Sequence, residues 1–112
     1  MKIDFEGRTY NLHYSFRIGF LYEQIQQKPI DFVNLTQYDL VLLFYCTFLA
    51  TLQYNKVNHN MSFEDFLNWV DDNGQEKLVV EFTNWYVDTL KQQSKLITKK
   101  DDDEEGETDP NS

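Results

Sequence analysis

Three side chains of the types that bind metals or act as nucleophiles and bases lie far apart in the sequence: His13, Cys46 and His59. No two of them have the i,i+4 or Cys-x-x-Cys spacing that places two ligands on one metal ion, and a fourth ligand is missing. The pattern instead places His13 on the polar face of a strand, His59 in the loop before Ser62, and Cys46 in the core as a small apolar side chain. We therefore expect no metal site.

The sequence also lacks the motifs that carry catalysis or cofactor binding. It has no Gly-x-Ser-x-Gly segment, and its four glycines, at positions 7, 19, 74 and 106, fit neither glycine-rich phosphate-binding pattern. Two segments resemble calcium loops, around Gly74 and Gly106, but their twelfth positions are Val80 and Ser112, where a bidentate Glu is needed. We expect no catalytic residue and no cofactor, and hence a protein that is not an enzyme.

The acidic charge is concentrated at the C-terminal end of the chain. Its 112 residues include 19 Asp and Glu against 10 Lys and Arg, a net charge of −9. Residues 1–98 carry 12 acidic and eight basic side chains, whereas residues 99–112 carry seven and two, with no large apolar side chain. We expect one globular domain over 1–98 and a disordered acidic tail over 99–112. This charge disfavours nucleic acids and anionic membranes as partners.

The cysteine count and the apolar stretches indicate the compartment. Cys46 is the one cysteine, so no intramolecular disulfide can form, and no secretion signal opens the chain. The longest apolar stretch, Leu40–Cys46, is far shorter than the ~20 residues that span a bilayer. We expect an intracellular protein that does not enter a membrane.

Two hydrophobic periods divide the domain. Apolar residues alternate with period two at the start of the chain and then recur at helical spacing, which predicts a small α+β fold that is mostly helical. Capping boxes at Thr36/Asp39 and Ser62/Asp65 and a turn at Gly74 mark the helix boundaries. The predicted elements are a hairpin over 2–14 and four helices over about 16–28, 37–54, 63–71 and 76–96.

The sequence allows two registers for the hairpin, and it predicts one wide apolar face on the first helix. We prefer a type II′ turn centred on Gly7-Arg8, which pairs Phe5 with Tyr10; the alternative, centred on Glu6-Gly7, sets Phe5 opposite Arg8. In the first helix two apolar stripes are predicted to be adjacent and to form one wide face. They consist of Phe16 and Phe20 in one stripe and Ile18, Leu21, Tyr22 and Ile25 in the other.

With no catalytic or metal-binding motif, aromatic side chains are the residues that remain as candidates for a functional role. They make up 16% of the chain, eighteen rings in all, more than a core of this size can bury. We expect some of them to form a contact surface for a partner protein. The candidate partner-binding residues are Tyr38, Tyr45, Trp69, Trp85 and Tyr86.

Three segments resemble the tail assembly chaperones of long-tailed bacteriophages and prophages. The first is the opening Lys-Ile-x-x-x-Gly-x-x-Tyr-x-Leu hairpin at 2–12, and the second is Phe-Arg-Ile-Gly-Phe-Leu-Tyr-Glu at 16–23. The third is the apolar run 40–51 followed by Ser-Phe-Glu-Asp-Phe-Leu-Asn-Trp-Val-Asp-Asp at 62–72. The resemblance covers about residues 1–95 and contains no catalytic signature.

The resemblance implies a non-enzymatic role in virion assembly. Such chaperones bind the tape-measure protein, keep it soluble, help to recruit tail-tube subunits, and leave before the particle is complete. It therefore implies the tape-measure and tail-tube proteins as partners and the cytoplasm of the bacterial host as the location. The surplus of aromatic side chains, in turn, favours self-association as a homo-oligomer. An alternative is a small acidic inhibitor that mimics DNA, although concentration of the charge in the tail counts against it.

Overall fold

The chain folds as a β-hairpin followed by four helices. In the computed structural model the backbone is described for residues 1–108 and the side chains for residues 1–94. The elements are β1 (Lys2–Phe5), β2 (Arg8–Asn11), α1 (Phe16–Gln26), α2 (Gln37–Tyr54), α3 (Phe63–Asp72) and α4 (Gln75–Thr108). The predicted class, α+β and mostly helical, is confirmed.

The hairpin register differs from the predicted one. Phe5 pairs with Arg8, so the predicted pairing of Phe5 with Tyr10 around a Gly7-Arg8 turn is wrong. The turn centres on Glu6 and Gly7, whose φ angles of 50° and 78° are both positive, as in a type I′ turn. Both registers present the same alternate residues to the core, so the apolar pattern does not distinguish them. Arg8 fits beside Phe5 because its guanidinium lies over the Tyr10 ring, 5.2 Å from the centroid.

Helix α1 lies at the edge of the fold. Of the elements that the structure describes, it packs against α2 alone. It ends at Gln26, two residues before the predicted end, because Gln27 takes the left-handed conformation with a φ of 61° and its N–H donates to the Glu23 carbonyl. One side of α1 is therefore covered by α2 and the other faces away from it.

The two apolar stripes of α1 are separated rather than adjacent. Ile18 and Tyr22 are buried, whereas Phe16 and Phe20 are exposed. At about 100° per residue, Ile18 and Tyr22 lie roughly 200° from Phe16 and Phe20 around the helix axis. The predicted single wide apolar face is therefore wrong, and α1 has one apolar side in the core and another in solvent.

Helix α2 is the centre of the core. Every residue from Leu42 to Phe48 is buried, and the helix packs against α1, α3, α4 and β2. Phe44 connects three helices, because its ring stacks on Phe82 of α4 at 4.6 Å and meets the Phe66 ring of α3 edge-on at 5.0 Å. The nearly continuous apolar composition of α2 is thus explained by burial on all sides.

The predicted capping box at the start of α2 is confirmed and has a second role. The Asp39 N–H donates to the Thr36 hydroxyl and the Thr36 N–H donates to the Asp39 carboxylate, both at 3.1 Å. The same carboxylate accepts hydrogen bonds from the Tyr22 hydroxyl at 3.2 Å and the Gln26 amide at 3.3 Å. The Thr36 N–H is the main reason that the Asp39 pKa lies below its usual value. Asp39 therefore connects the C-terminal half of α1 to the start of α2 through hydrogen bonds.

Helices α3 and α4 are joined by a short corner. The predicted capping box of Ser62 and Asp65 opens α3, and Gly74, with a φ of 90°, makes the turn into α4. Helix α4 continues to Thr108, beyond the predicted end at 96, and no proline lies between Gln75 and Thr108 to interrupt it. Helix α4 thus includes residues 99–108 of the segment predicted to be a disordered tail, and residues 109–112 lie outside the described ones. The division of the chain at residue 98, with disorder beyond it, stays a prediction.

A hydroxyl in the core joins the segment that follows β2 to α2. Thr51 is fully buried; its hydroxyl donates to the Thr47 carbonyl at 2.8 Å and accepts the His13 backbone N–H at 3.0 Å. We expect Thr51→Val, which keeps the side-chain shape, to lower the free energy of unfolding by about 1–3 kcal/mol, because it leaves the His13 N–H without this acceptor. Urea unfolding measures the change.

The matched control for this variant is Thr47→Val. The Thr47 hydroxyl is equally buried but only donates to the Leu43 carbonyl of its own helix, at 2.8 Å. Its replacement is expected to cost less than about 1 kcal/mol. Equal losses for Thr51→Val and Thr47→Val would contradict a joining role for Thr51.

Candidate protein-binding surface

The five aromatic residues predicted to bind a partner are divided between core and surface. Tyr45 and Tyr86 are buried, Trp69 and Trp85 are half-buried, and Tyr38 is exposed. Of these five, only Tyr38 is exposed, and its ring still meets the Phe63 ring edge-on at 5.6 Å. Partner binding by these five residues stays a prediction. In the structure the two buried tyrosines and Trp69 pack against other core side chains.

The two buried tyrosines belong to the core. The Tyr45 hydroxyl donates to the Met61 carbonyl, and its ring lies 5.3 Å from the Phe63 ring, which ties α2 to the start of α3. The Tyr86 ring lies 5.6 Å from the Phe82 ring. Burial raises the pKa of both hydroxyl groups above the usual value for tyrosine.

Trp69 closes the gap between the hairpin and the helices. Its ring stacks on Phe48 at 5.9 Å and lies 6.3 Å from Phe5 of β1. Its exposed edge lines an open groove of about 250 Å³, whose charged side chains are of both signs: Lys2, Asp4, Lys77 and Glu81. Because the ring is held by two core aromatics, its position is explained without a partner.

The outward side of α1 is the most exposed aromatic surface in the described part of the chain. Phe16 and Phe20 lie one helical turn apart and are 88% and 63% exposed. Phenylalanine is among the residues most often buried in folded proteins, and neighbouring exposed rings mark interaction sites. The sequence contained the signal for this surface, because the two phenylalanines and the buried stripe of Ile18 and Tyr22 differ by about half a turn.

A glycine lies beside the two phenylalanines. Gly19 is in the interior of α1, where glycine costs roughly 0.5–1 kcal/mol relative to alanine. A Cβ added to Gly19 would meet no atom within 4 Å, so no described neighbour requires the missing side chain. We call Phe16, Gly19 and Phe20 the outer α1 face. It combines two free rings with bare backbone that another chain can approach closely.

A small pocket lies between the first turn of α1 and the last turns of α2. It has a volume of about 140 Å³ and is lined by six residues: His13, Ser15, Arg17, Ala50, Gln53 and Tyr54. The His13 and Tyr54 rings stack at 3.7 Å, and Nη1 of Arg17 donates to Oε1 of Gln53 at 2.9 Å. We call it the first-turn pocket. Neither Phe16 nor Phe20 is among the residues that line it.

The structure places the three candidate metal ligands in different surroundings. His13 stacks on Tyr54, His59 contacts Phe5 and lies 3.3 Å from the Glu6 carboxylate, and Cys46 is fully buried. Within the described residues, no three His, Cys, Asp or Glu side chains are grouped so that they could hold a metal ion.

Cys46 is expected to be chemically inert in the folded protein. Burial raises the pKa of its thiol to about 12, so the reactive thiolate is scarce at neutral pH. We expect an aromatic disulfide reagent to leave the native protein unmodified while it modifies one thiol per chain in denaturant. Modification of the native protein at a rate close to that of the unfolded chain would contradict this burial.

Comparison of the chain with protein-family models, with curated protein sequences and with solved structures gave no match. In the described part of the chain, none of the helices combines the length and the apolar character that crossing a membrane requires. Function is therefore inferred from the chain's own residues, above all from the outer α1 face.

Proposed function

We propose that the protein is a non-catalytic chaperone of the phage tail-assembly type. In this role it binds the tape-measure protein through apolar helical segments, keeps that protein soluble, and helps to recruit tail-tube subunits in the cytoplasm of the bacterial host. The observation that carries the proposal is the outer α1 face, where Phe16 and Phe20 are turned away from a core that is already complete.

The small size of this face suits a client that is bound and then released. Helix α1 is 11 residues long, about 16 Å at 1.5 Å per residue, and offers two rings. A stable protein dimer buries about 800 Å² on each partner, which so short a helix face does not supply alone. An apolar helix laid across α1 would therefore be held weakly, as a chaperone that must leave the finished particle requires.

Two further features support the proposal. The resemblance to tail assembly chaperones includes Phe-Arg-Ile-Gly-Phe at 16–20, the segment that forms the outer α1 face. The strongly acidic segment 99–112 would add charge to a complex whose client is prone to aggregate.

Co-expression with a tape-measure fragment tests the proposal. The fragment should contain an amphipathic helix with an exposed apolar stripe, and it is expected to be insoluble alone and to become soluble and co-purify with this protein. The matched control is the same fragment with the stripe replaced by serine, which should not co-purify. A fragment that stays insoluble in the presence of the folded chaperone would overturn the proposal.

A further inference from the structure

The outer edge of β1 has backbone groups that β2 does not reach. Along an antiparallel pair, residues that exchange both N–H···O bonds alternate with residues that exchange none. At the open end of the hairpin the Leu12 N–H donates to the Met1 carbonyl at 2.8 Å, so the next pair, Lys2 and Asn11, exchanges no such bond. By the same alternation the N–H and C=O groups of Lys2 and Asp4 point away from β2. Within the described residues these groups have no backbone hydrogen-bond partner.

Space for another strand lies beside this edge. The open groove of about 250 Å³ next to Trp69 is lined by three consecutive residues of β1, 2–4. Side chains of a strand alternate between its two faces, so three consecutive residues share an edge of the strand rather than a face. We call this groove the β1 groove. No Cα atom of a described helix lies within 8 Å of a β1 Cα atom, whereas paired strands lie about 4.7–4.9 Å apart. The edge is therefore open to a further strand.

The side chains of the same two residues indicate which strand fits there. Lys2 and Asp4 are exposed and oppositely charged, and among the described side chains neither forms an ion pair. In a second β1 strand that runs antiparallel, with Ile3 opposite Ile3, each Lys2 lies opposite Asp4 of the second copy. This register also sets the outward N–H and C=O groups of Lys2 and Asp4 face to face. Backbone bonds and charge pairs therefore form in one arrangement.

The charges also make the edge selective. Unpaired strand edges invite aggregation, and proteins commonly protect them with charged side chains, above all lysine. A strand with no acidic residue opposite Lys2 would crowd its ammonium group without a counter-charge, and like charges directly opposite each other are destabilising. A second copy of the chain supplies the opposite charge at both positions.

We propose that the chain self-associates through β1, as an antiparallel pair around a two-fold axis at Ile3 that joins two hairpins into one sheet. Each β1 has four residues, and a contact between such short strands is smaller than the about 800 Å² per partner of a stable dimer. The dimer is therefore weak and depends on concentration. Neither Phe16 nor Phe20 lines the β1 groove, so this interface lies outside the outer α1 face and does not rest on the proposed function.

Sedimentation velocity of the full chain, without an N-terminal tag, tests this inference. The wild type is expected to shift from monomer to dimer as its concentration rises to about 1 mM. Lys2→Glu makes both edge positions acidic and Asp4→Lys makes both basic, so each variant alone is expected to dimerise about tenfold more weakly or worse. An equimolar mixture of the two variants should recover the association, because opposite charges then face each other in the mixed pair.

Two controls separate the interface from changes in net charge or fold. Lys28→Glu changes the charge by the same amount at an exposed residue outside the β1 groove and should leave the association unchanged. Asp4 also accepts a hydrogen bond from the Thr9 hydroxyl at 2.6 Å, so urea unfolding is measured for each variant. Lys2→Glu breaks no described bond and keeps the test independent of this one.

Amide hydrogen exchange reports on the backbone pairing itself. The Asp4 N–H should exchange several-fold more slowly at high protein concentration than at low concentration. The Thr9 N–H, which points outward from the other edge of the hairpin, should exchange at the same rate in both. A chain that stays monomeric at every concentration overturns the inference, as does a dimer that both charge reversals leave unchanged. A mixture that associates no better than either variant alone, or slowed exchange at Thr9 instead of Asp4, overturns it as well.

Discussion

Phe44→Ala is expected to lower the free energy of unfolding by about 3–5 kcal/mol, a large effect for a single change in the core. Phe44 is fully buried, and its ring contacts Phe82 of α4 and Phe66 of α3. Truncation removes contacts with both helices and leaves a cavity between them. Because domains of this size are stable by only about 5–15 kcal/mol, the variant should be partly unfolded in mild urea.

Phe44→Leu is the control for this variant. Leucine keeps most of the apolar volume but loses the stacked ring, so it should cost clearly less than alanine. Chemical unfolding followed by circular dichroism measures both variants. A loss below about 1 kcal/mol for Phe44→Ala would mean that α3 and α4 do not depend on this contact, which would contradict the described core.

Replacement of both Phe16 and Phe20 by serine is expected to weaken client binding by about tenfold or more, because exposed aromatic anchors dominate small interfaces. The same change should alter the free energy of unfolding by less than about 0.5 kcal/mol, since serine and phenylalanine have similar helix propensities. Isothermal titration with a tape-measure helix measures the affinity, and urea unfolding of the same preparation measures stability.

Val80→Ser is the matched control on α4. Val80 is 57% exposed on a different helix, so its replacement removes an apolar side chain from the surface outside the outer α1 face. It should leave client binding unchanged. Equal loss of binding in the two variants would show that general surface hydrophobicity determines binding, and a large loss of stability in the phenylalanine variant would show that its rings are needed for folding.

Local signals in the sequence predicted much of the fold. The capping boxes at Thr36 and Ser62 identify helix starts because each depends on two residues three positions apart, with no help from the rest of the chain. The range of α2 follows from the capping box at Thr36 and from the long apolar run after it. The hairpin register could not be predicted in this way, since a shift of two residues keeps the same side chains on the core face.

Prediction of the surface was less successful because exposure depends on which elements meet. Tyr45 and Tyr86 have polar tips that suit a surface, but α3 and the hairpin region close over them. The exposure of Phe16 and Phe20 follows from the position of α1 at the edge of the fold, where α2 covers one side only. Spacing around the helix gives the angle between the two stripes, but only the tertiary packing identifies which stripe is covered.

Site-specific photocrosslinking tests the central claim, that the outer α1 face contacts the client helix. A photoreactive phenylalanine analogue would replace Phe16, Phe20, Tyr38 or Val80, one at a time, in the full chain bound to a tape-measure fragment. All four side chains are exposed, so the label is tolerated and accessible at each position. Crosslinks to the fragment at positions 16 and 20, and none at 80, are the predicted result. Crosslinks at 38 or 80 with none at 16 and 20 would contradict the claim.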